Sequence, residues 1–155
     1  MKVSDILRLK GQSGGTLFTI DPTEPLVLAV NIMAEKDMGS LLVMEQGNLV
    51  GLLTFREVIQ ALSRNHGALG DLTVRSAMDA QPLTCTPDTL IDEVRRMMLG
   101  SHSRYMPVLN ERELQGVISF YDVAKSVVDS QNFENQMLKA YIKDWPSGSS
   151  EPDTK

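Results

Sequence analysis

Ser119-Phe120-Tyr121-Asp122 sets a hydroxyl and a carboxylate three residues apart, where an apolar strand-like run gives way to a helical pattern. Backbone N–H groups in the first turn of such a helix point outward at the positive end of its dipole and can hold a phosphate. The Ser119 hydroxyl adds a donor, and Asp122 can accept both hydroxyls of a ribose. The same two side chains can also satisfy the helix's own N–H groups as a capping box. Thr54-Phe55-Arg56-Glu57 repeats the pattern with Glu, the preferred capping-box partner, in place of the acid. Capping leads at this second motif, while Arg56 is left to meet a phosphate. Two unequal sites are expected, with Ser119/Asp122 the stronger.

Other reactive residue types do not assemble into a centre. His66 and His102 lie in separate polar stretches without an adjacent ligand set, which argues against a metal. Cys85, the single cysteine, sits at a strand position with no evident base and reads as a small core residue. It excludes an internal disulfide and suits a reducing compartment. Neither a nucleophile with a base at recognisable spacing nor a Walker or Rossmann phosphate loop is present, so an enzyme is the weakest functional class.

A duplication positions the two motifs. Aligning Pro22 with Pro87 gives an offset of 65 that holds without a gap from Phe18/Leu83 to Ala61/Ser126. Identical pairs along it include Thr19/Thr84, Met33/Met98, Val43/Val108, Gly51/Gly116 and Phe55/Phe120, and Glu57/Asp122 preserves a carboxylate. Upstream, Val3–Leu7 matches Val74–Met78 at an offset of 71, so the first copy carries six extra residues within Arg8 to Thr16, read as a flexible loop with Gly11, Gly14 and Gly15.

Within each copy the apolar period changes in a fixed order. Asp21-Pro22-Thr23-Glu24 reads as a helix start, with Asp21 as N-cap and Pro22 at the first helical position. Leu26, Ala29, Val30 and Met33 follow at helical spacing, and Ile91, Val94, Met97 and Met98 do so after Thr86-Pro87. The apolar runs Ser40–Met44 and Leu49–Leu53, and in the second copy Tyr105–Leu109 and Leu114–Ile118, are buried strands joined by turns. A helix follows each pair, carrying Val58, Ile59 and Leu62 or Val123, Val127 and Val128. Phe133, Met137, Leu138, Tyr141 and Ile142 mark one more amphipathic helix, ended by Trp145-Pro146. Each repeat is therefore β-α-β-β-α. The organisation is 1–65 for the first motif, 66–130 for the second, 131–146 for a terminal helix and 147–155 for a disordered tail.

The 155 residues and 42% hydrophobic content fit one compact domain in which two half-size units share a core. A net charge of −5 with scattered basic residues gives no footprint for nucleic acid. With no signal-peptide pattern and no apolar run long enough to span a bilayer, a cytoplasmic protein without membrane insertion is expected.

Gly51-Leu52-Leu53-Thr54-Phe55-Arg56-Glu57, Gly116-Val117-Ile118-Ser119-Phe120-Tyr121-Asp122 and Ser103-Arg104-Tyr105-Met106-Pro107-Val108 together resemble the cystathionine-β-synthase (CBS) domain family, in its small stand-alone bacterial form. The likeness runs from Lys2 to about Trp145; Tyr105 stands where the family usually has histidine. It implies an α/β (α+β) CBS-domain pair, two β-α-β-β-α repeats about a pseudo-two-fold axis, with two clefts and a C-terminal helix. It also implies an adenosine compound as regulatory ligand (AMP, ADP, ATP, NAD(H) or S-adenosylmethionine), a flat homodimer, no required cofactor, and a regulated protein partner. Each cleft would join the Ser/Thr and acid of one motif to the strands of the other. Ser119, Tyr121 and Asp122 would be completed by Thr19, Ile20, Gly39, Ser40 and Leu41, with Gly39 and Ser40 leaving room for adenine. Thr54, Arg56 and Glu57 would be completed by Thr84, Cys85, Arg104, Tyr105, Met106 and Pro107. The competing expectation is a ligand-independent interaction module that docks through its helices, notably Phe133, Met137 and Tyr141.

Overall fold

The computed structural model describes residues 1–12 and 17–143. Its elements in chain order are α1 (Val3–Gln12), β1 (Thr19–Ile20), α2 (Leu26–Glu35), β2 (Ser40–Glu45), β3 (Asn48–Thr54), α3 (Phe55–Arg64), α4 (Val74–Ala77), α5 (Ile91–Ser101), β4 (Tyr105–Asn110), β5 (Glu113–Ser119) and α6 (Phe120–Lys143). The chain divides into two compact units, Met1–Val123 and Ala124–Lys155. Both candidate motifs lie in the first; of the second, the described part is the continuation of α6.

The duplication is written into the backbone. β2 pairs antiparallel with β3, and β4 with β5, each pair with a register shift at the same place, Val43/Met44 and Val108/Leu109. Asp37 and His102, related by the 65-residue offset, both adopt the left-handed conformation after their helices, as do Gln46 and Glu111 in the hairpin turns. β1 adds in parallel to β2, whereas its counterpart in the second copy shrinks to a single parallel bridge between Cys85 and Val108.

The leading segments are exchanged between the copies. Val3 N donates to Thr89 O and Ile91 N to Met1 O, while Val74 N donates to Glu24 O and Leu26 N to Leu72 O. Val3 and Ile6 are thereby buried with Ile91, Val94, Met98, Met106, Val108, Ile118 and Val123 of the second copy. In return Val74 and Ala77 are buried with Ile20, Leu26, Ala29, Met33, Leu41, Val43 and Leu53 of the first. Neither copy completes its core from its own residues.

This exchange accounts for the helix starts. Helix α2 begins at Leu26 rather than at Pro22, because Pro25 is held extended (φ −62, ψ 141) and bridged to Thr73. Asp21 instead caps a tight turn, accepting from Thr23 N at 2.8 Å and Thr23 Oγ1 at 2.6 Å. Leu90, extended and bridged to Lys2, delays α5 in the same way.

Two further expectations are corrected. The six extra residues of the first copy are not loop throughout: α1 continues to Gln12, ten residues against four in α4, and only Ser13–Thr16 lie outside the described residues. The terminal helix is not separate from the second repeat helix, since α6 runs unbroken from Phe120 to Lys143. Within it Val123 is buried, but Val128 is 52% exposed and so does not share the buried face. The side chains of Phe133, Met137, Tyr141 and Ile142 and the segment from 144 onward, with Trp145-Pro146 and the tail, lie outside the described residues.

Gly51 and Gly116 serve the exchange by letting a leading segment lie directly on a strand. A β-carbon on Gly51 would stand 2.5 Å from Met78 Sδ and 2.9 Å from the Asp79 carbonyl; one on Gly116 would stand 2.8 Å from Leu7 Cδ2. The Asp79 backbone is itself fixed by reciprocal hydrogen bonds with Leu52 at 2.9 Å and cannot retreat. Gly51→Ala is therefore expected to cost about 1–3 kcal/mol in urea unfolding. Gly116→Ala should cost less, because a leucine end can turn aside; an equal or larger loss at Gly116 would contradict this account.

Candidate functional site

Strand β5 delivers Ser119 to the tip of α6, where the two side chains close a complete capping box. Ser119 N donates to Asp122 Oδ2 at 2.9 Å, and Asp122 N donates to Ser119 Oγ at 3.0 Å. The same Oδ2 accepts from Lys10 Nζ at 2.9 Å, and Lys10 donates also to the Val117 carbonyl at 2.8 Å. Asp122 is only 16% exposed, so the ion pair lies against the fold rather than in open solvent. The helical extension of α1 is what carries Lys10 there.

The surroundings assigned to this motif are occupied too. Ile20, Ser40 and Leu41 are buried, and Thr19 is exposed. Gly39 does leave room, but the Tyr105 hydroxyl takes it, standing 1.7 Å from where a β-carbon would lie. Tyr121 is 73% exposed. Asp122 is thus turned onto its own main chain and an internal ammonium, and the space for a flat ring at Gly39 is filled by a phenol.

The Thr54 motif presents the larger opening. Thr54, extended at φ −123 and ψ 174, caps α3, accepting from Arg56 N at 3.2 Å. Glu57 Oε1 accepts from both the backbone N–H (2.9 Å) and the hydroxyl of Thr54, which is the capping role expected of it. Before this tip lies a cavity of about 600 Å³, lined on the first-copy side by Leu52, Thr54, Phe55, Arg56, Glu57 and Ile59, and on the second by Asp79, His102, Ser103, Arg104 and Tyr105. Its size is that of a small-molecule cleft. Among the described residues neither Arg56 nor Arg104 is in an ion pair, unlike Arg8, Arg75, Arg95 and Arg96, each of which meets an aspartate or glutamate.

Of the residues assigned to this second motif, Thr54, Arg56, Glu57, Arg104 and Tyr105 are brought together. Thr84, Cys85, Met106 and Pro107 are not. Met106 and Pro107 are buried in β4, and Thr84 and Cys85 line a separate hollow beside Glu93 and Glu111. Burial pushes the Cys85 thiol up to about 11, which keeps it protonated and unreactive at neutral pH. Sequence reasoning missed Asp79, His102, Ser103 and Gln60. Gln60 was within reach, one helical turn beyond Arg56; Asp79 was not, because it arrives with the exchanged leading segment. Among the described residues no group of three or more His, Cys, Asp or Glu could hold a metal, and no helix is long and apolar enough to cross a membrane.

The CBS domain family model matches the chain twice, over residues 15–64 and 74–129. The chain belongs to the CBS domain family. The CBS domain-containing protein CBSX3, mitochondrial, of Arabidopsis thaliana is 28% identical over 150 residues, spanning 91% of this chain and 71% of that protein. A protein with CBS domains from Burkholderia ambifaria has the same fold at TM-score 0.78 and 30% identity, over 84% of this chain and 96% of its own. CBSX2, solved in complex with AMP, matches at TM-score 0.64 and 21% identity, over 84% of this chain and 98% of its own. At that identity the likeness is one of fold. The architecture is thus a CBS-domain pair, as the motifs implied.

Two outcomes follow from these contacts. A double-mutant cycle on Lys10→Met and Asp122→Asn should show a coupling of about 0.5–1 kcal/mol in chemical denaturation, a part-exposed ion pair being worth no more; zero coupling would mean that the pair adds nothing to stability. Cys85 should resist a thiol-specific disulfide reagent in native protein and react fully once the chain is unfolded in urea.

Proposed function

We propose that this CBS-domain pair is a regulatory module that binds an adenosine compound, an adenine nucleotide in the first instance, in the cleft before Thr54. The observation that carries this reading is the pairing of two guanidinium groups that form no ion pair among the described residues, Arg56 and Arg104, with an apolar wall of Leu52, Phe55, Ile59 and Tyr105 in one cavity of about 600 Å³ that Glu57 and Asp79 also line. The wall can stack a flat base, Tyr105 most directly. The guanidinium pair suits a phosphate. The AMP complex of CBSX2 supports an adenosine ligand as the first to try.

Ser119/Asp122 takes second place in this reading, since a ribose there would have to displace Lys10 from Asp122. Ligand binding would shift the packing between the two copies toward one of two arrangements, which a second copy of the chain and a regulated protein read. The protein acts without a required cofactor and does not itself turn over the ligand. The alternative, a ligand-independent interaction module, draws on the exposure of Phe55 (53%) and Ile59 (64%), which would then form a docking face rather than a cleft wall.

Thermal melts and calorimetric titration with AMP, ADP, ATP, NAD(H) and S-adenosylmethionine separate the two. A ligand at 100 times its dissociation constant should add about 2.7 kcal/mol of stability. Arg104→Ala should weaken it about tenfold or more, on the scale of a hydrogen bond to a charged group, while Asp122→Ala leaves the affinity within about twofold. No response to any of these compounds at millimolar concentration would remove the proposal in favour of the interaction module. A response abolished by Asp122→Ala and untouched by Arg104→Ala would move the ligand to the other motif.

A further inference from the structure

Strand β5 is the outer strand of its two-stranded sheet, and its Val117 carbonyl points outward from that edge. Val117 faces Pro107 across the ladder, but the Pro107 carbonyl accepts from Cys85 N on the far side of β4, so this pair exchanges no hydrogen bonds. The duplicated position in the first copy is Leu52, whose carbonyl is met by Asp79 N at 2.9 Å. In the second copy the same duty falls to a side chain, Lys10 Nζ at 2.8 Å from the Val117 carbonyl. Anchored there, the ammonium also meets Asp122 Oδ2 at 2.9 Å. The contact is part of how the strand edge is satisfied, not an incidental surface pair.

Tyr105 acts from the other side. Its hydroxyl takes the space over Gly39, while the same side chain lines the cleft before Thr54. One phenol therefore serves as a wall of the open cleft and as the filling of the place where the Ser119 motif would need room. A flat ring seated against Tyr105 in the cleft holds the phenol where it stands, on Gly39.

We propose that Lys10 and Tyr105 are internal stoppers that shut the Ser119/Asp122 motif, so that each chain binds one adenosine ligand rather than two. The proposal rests on the reading of the Thr54 cleft given above and deepens it by naming the stoichiometry and the two residues that set it. An ionised carboxylate only accepts hydrogen bonds, and Lys10 supplies a donor at the oxygen where a sugar hydroxyl would have to donate. The length of α1, ten residues against four in α4, brings this stopper within reach. Ligand in the cleft keeps the second stopper in place, so filling one motif holds the other closed.

The test is calorimetric stoichiometry on the full chain with AMP, ADP, ATP, NAD(H) and S-adenosylmethionine, for wild type and the double variant Lys10→Ala/Tyr105→His at about pH 8, where an imidazole is neutral. Histidine keeps a flat ring for the cleft but, lacking the phenol's outer carbon and hydroxyl, ends short of Gly39. Wild type should bind one equivalent and the double variant two, the second being lost again when Asp122→Ala is added. Two equivalents on wild type, or one on the double variant, would overturn the closure and leave the cleft reading intact. A measurement on wild type alone keeps the test decisive where the double variant does not fold. An amine-reactive reagent should acylate Lys10 about two- to fivefold more slowly than the exposed Lys36, with the ratio unchanged by saturating ligand. Equal rates without ligand, or a rise at Lys10 with it, would equally overturn the closure. Binding by the double variant alone would remove the cleft reading and keep the stoppers; binding by neither would remove both.

Discussion

The structure depends on the exchange of leading segments between its two copies. Val3 and Ile6 fill the second copy's core and Val74 and Ala77 the first, so each half borrows the residues that close it. A half of this size buries so little apolar surface that it would be marginal alone. The consequence for function is direct. Asp79 stands in the cleft before Thr54 because Val74 and Ala77 have docked on the first copy, and Lys10 reaches Asp122 because Val3 and Ile6 have docked on the second. What holds the fold together also decides which residues face each motif.

The asymmetry between the motifs follows from one difference in length. Ten helical residues in α1 against four in α4 carry the first leading segment farther along its partner strand, and Lys10 lands on the Val117 carbonyl and Asp122 together. At the other motif the shorter helix ends early and leaves its strand as an extended bridge, Leu52 to Asp79, with open space beyond. Identical hairpins, with bulges at equivalent residues, thus end in one tip covered by an ammonium and one facing a cavity.

Much of this was legible in the residues. The 65-residue offset, the four main strands and the core faces of α2 and α5 rest on strong local periods, and the structure keeps them. The helix starts were misjudged at Asp21 because capping chemistry is local, while Pro25 is held extended by Thr73 from the other copy. The extra residues near Arg8 read as loop because their glycines suggest one, yet α1 continues past Gly11. Tyr105 was recognised as a departure from its family's usual histidine, but that a phenol would reach Gly39 is a matter of three-dimensional distance. Interactions between the copies are where the sequence pattern ran out.

The two carboxylates cap their helices in different ways. Glu57 has one more methylene than Asp122, and with it folds back so that a single oxygen accepts from both the N–H and the hydroxyl of Thr54. Its charge is then offset in part by the helix tip it caps, and Arg56 and Arg104 face the cleft together with Asp79. Asp122, being shorter, caps its helix and still presents Oδ2 to Lys10. The acid that looks better suited to a sugar is therefore the one already engaged. The chain's overall charge of −5 does little to oppose an anion at the open cleft. Exposed charges beyond about 8 Å are screened at physiological ionic strength, so what a phosphate meets is decided by the few groups that line the pocket.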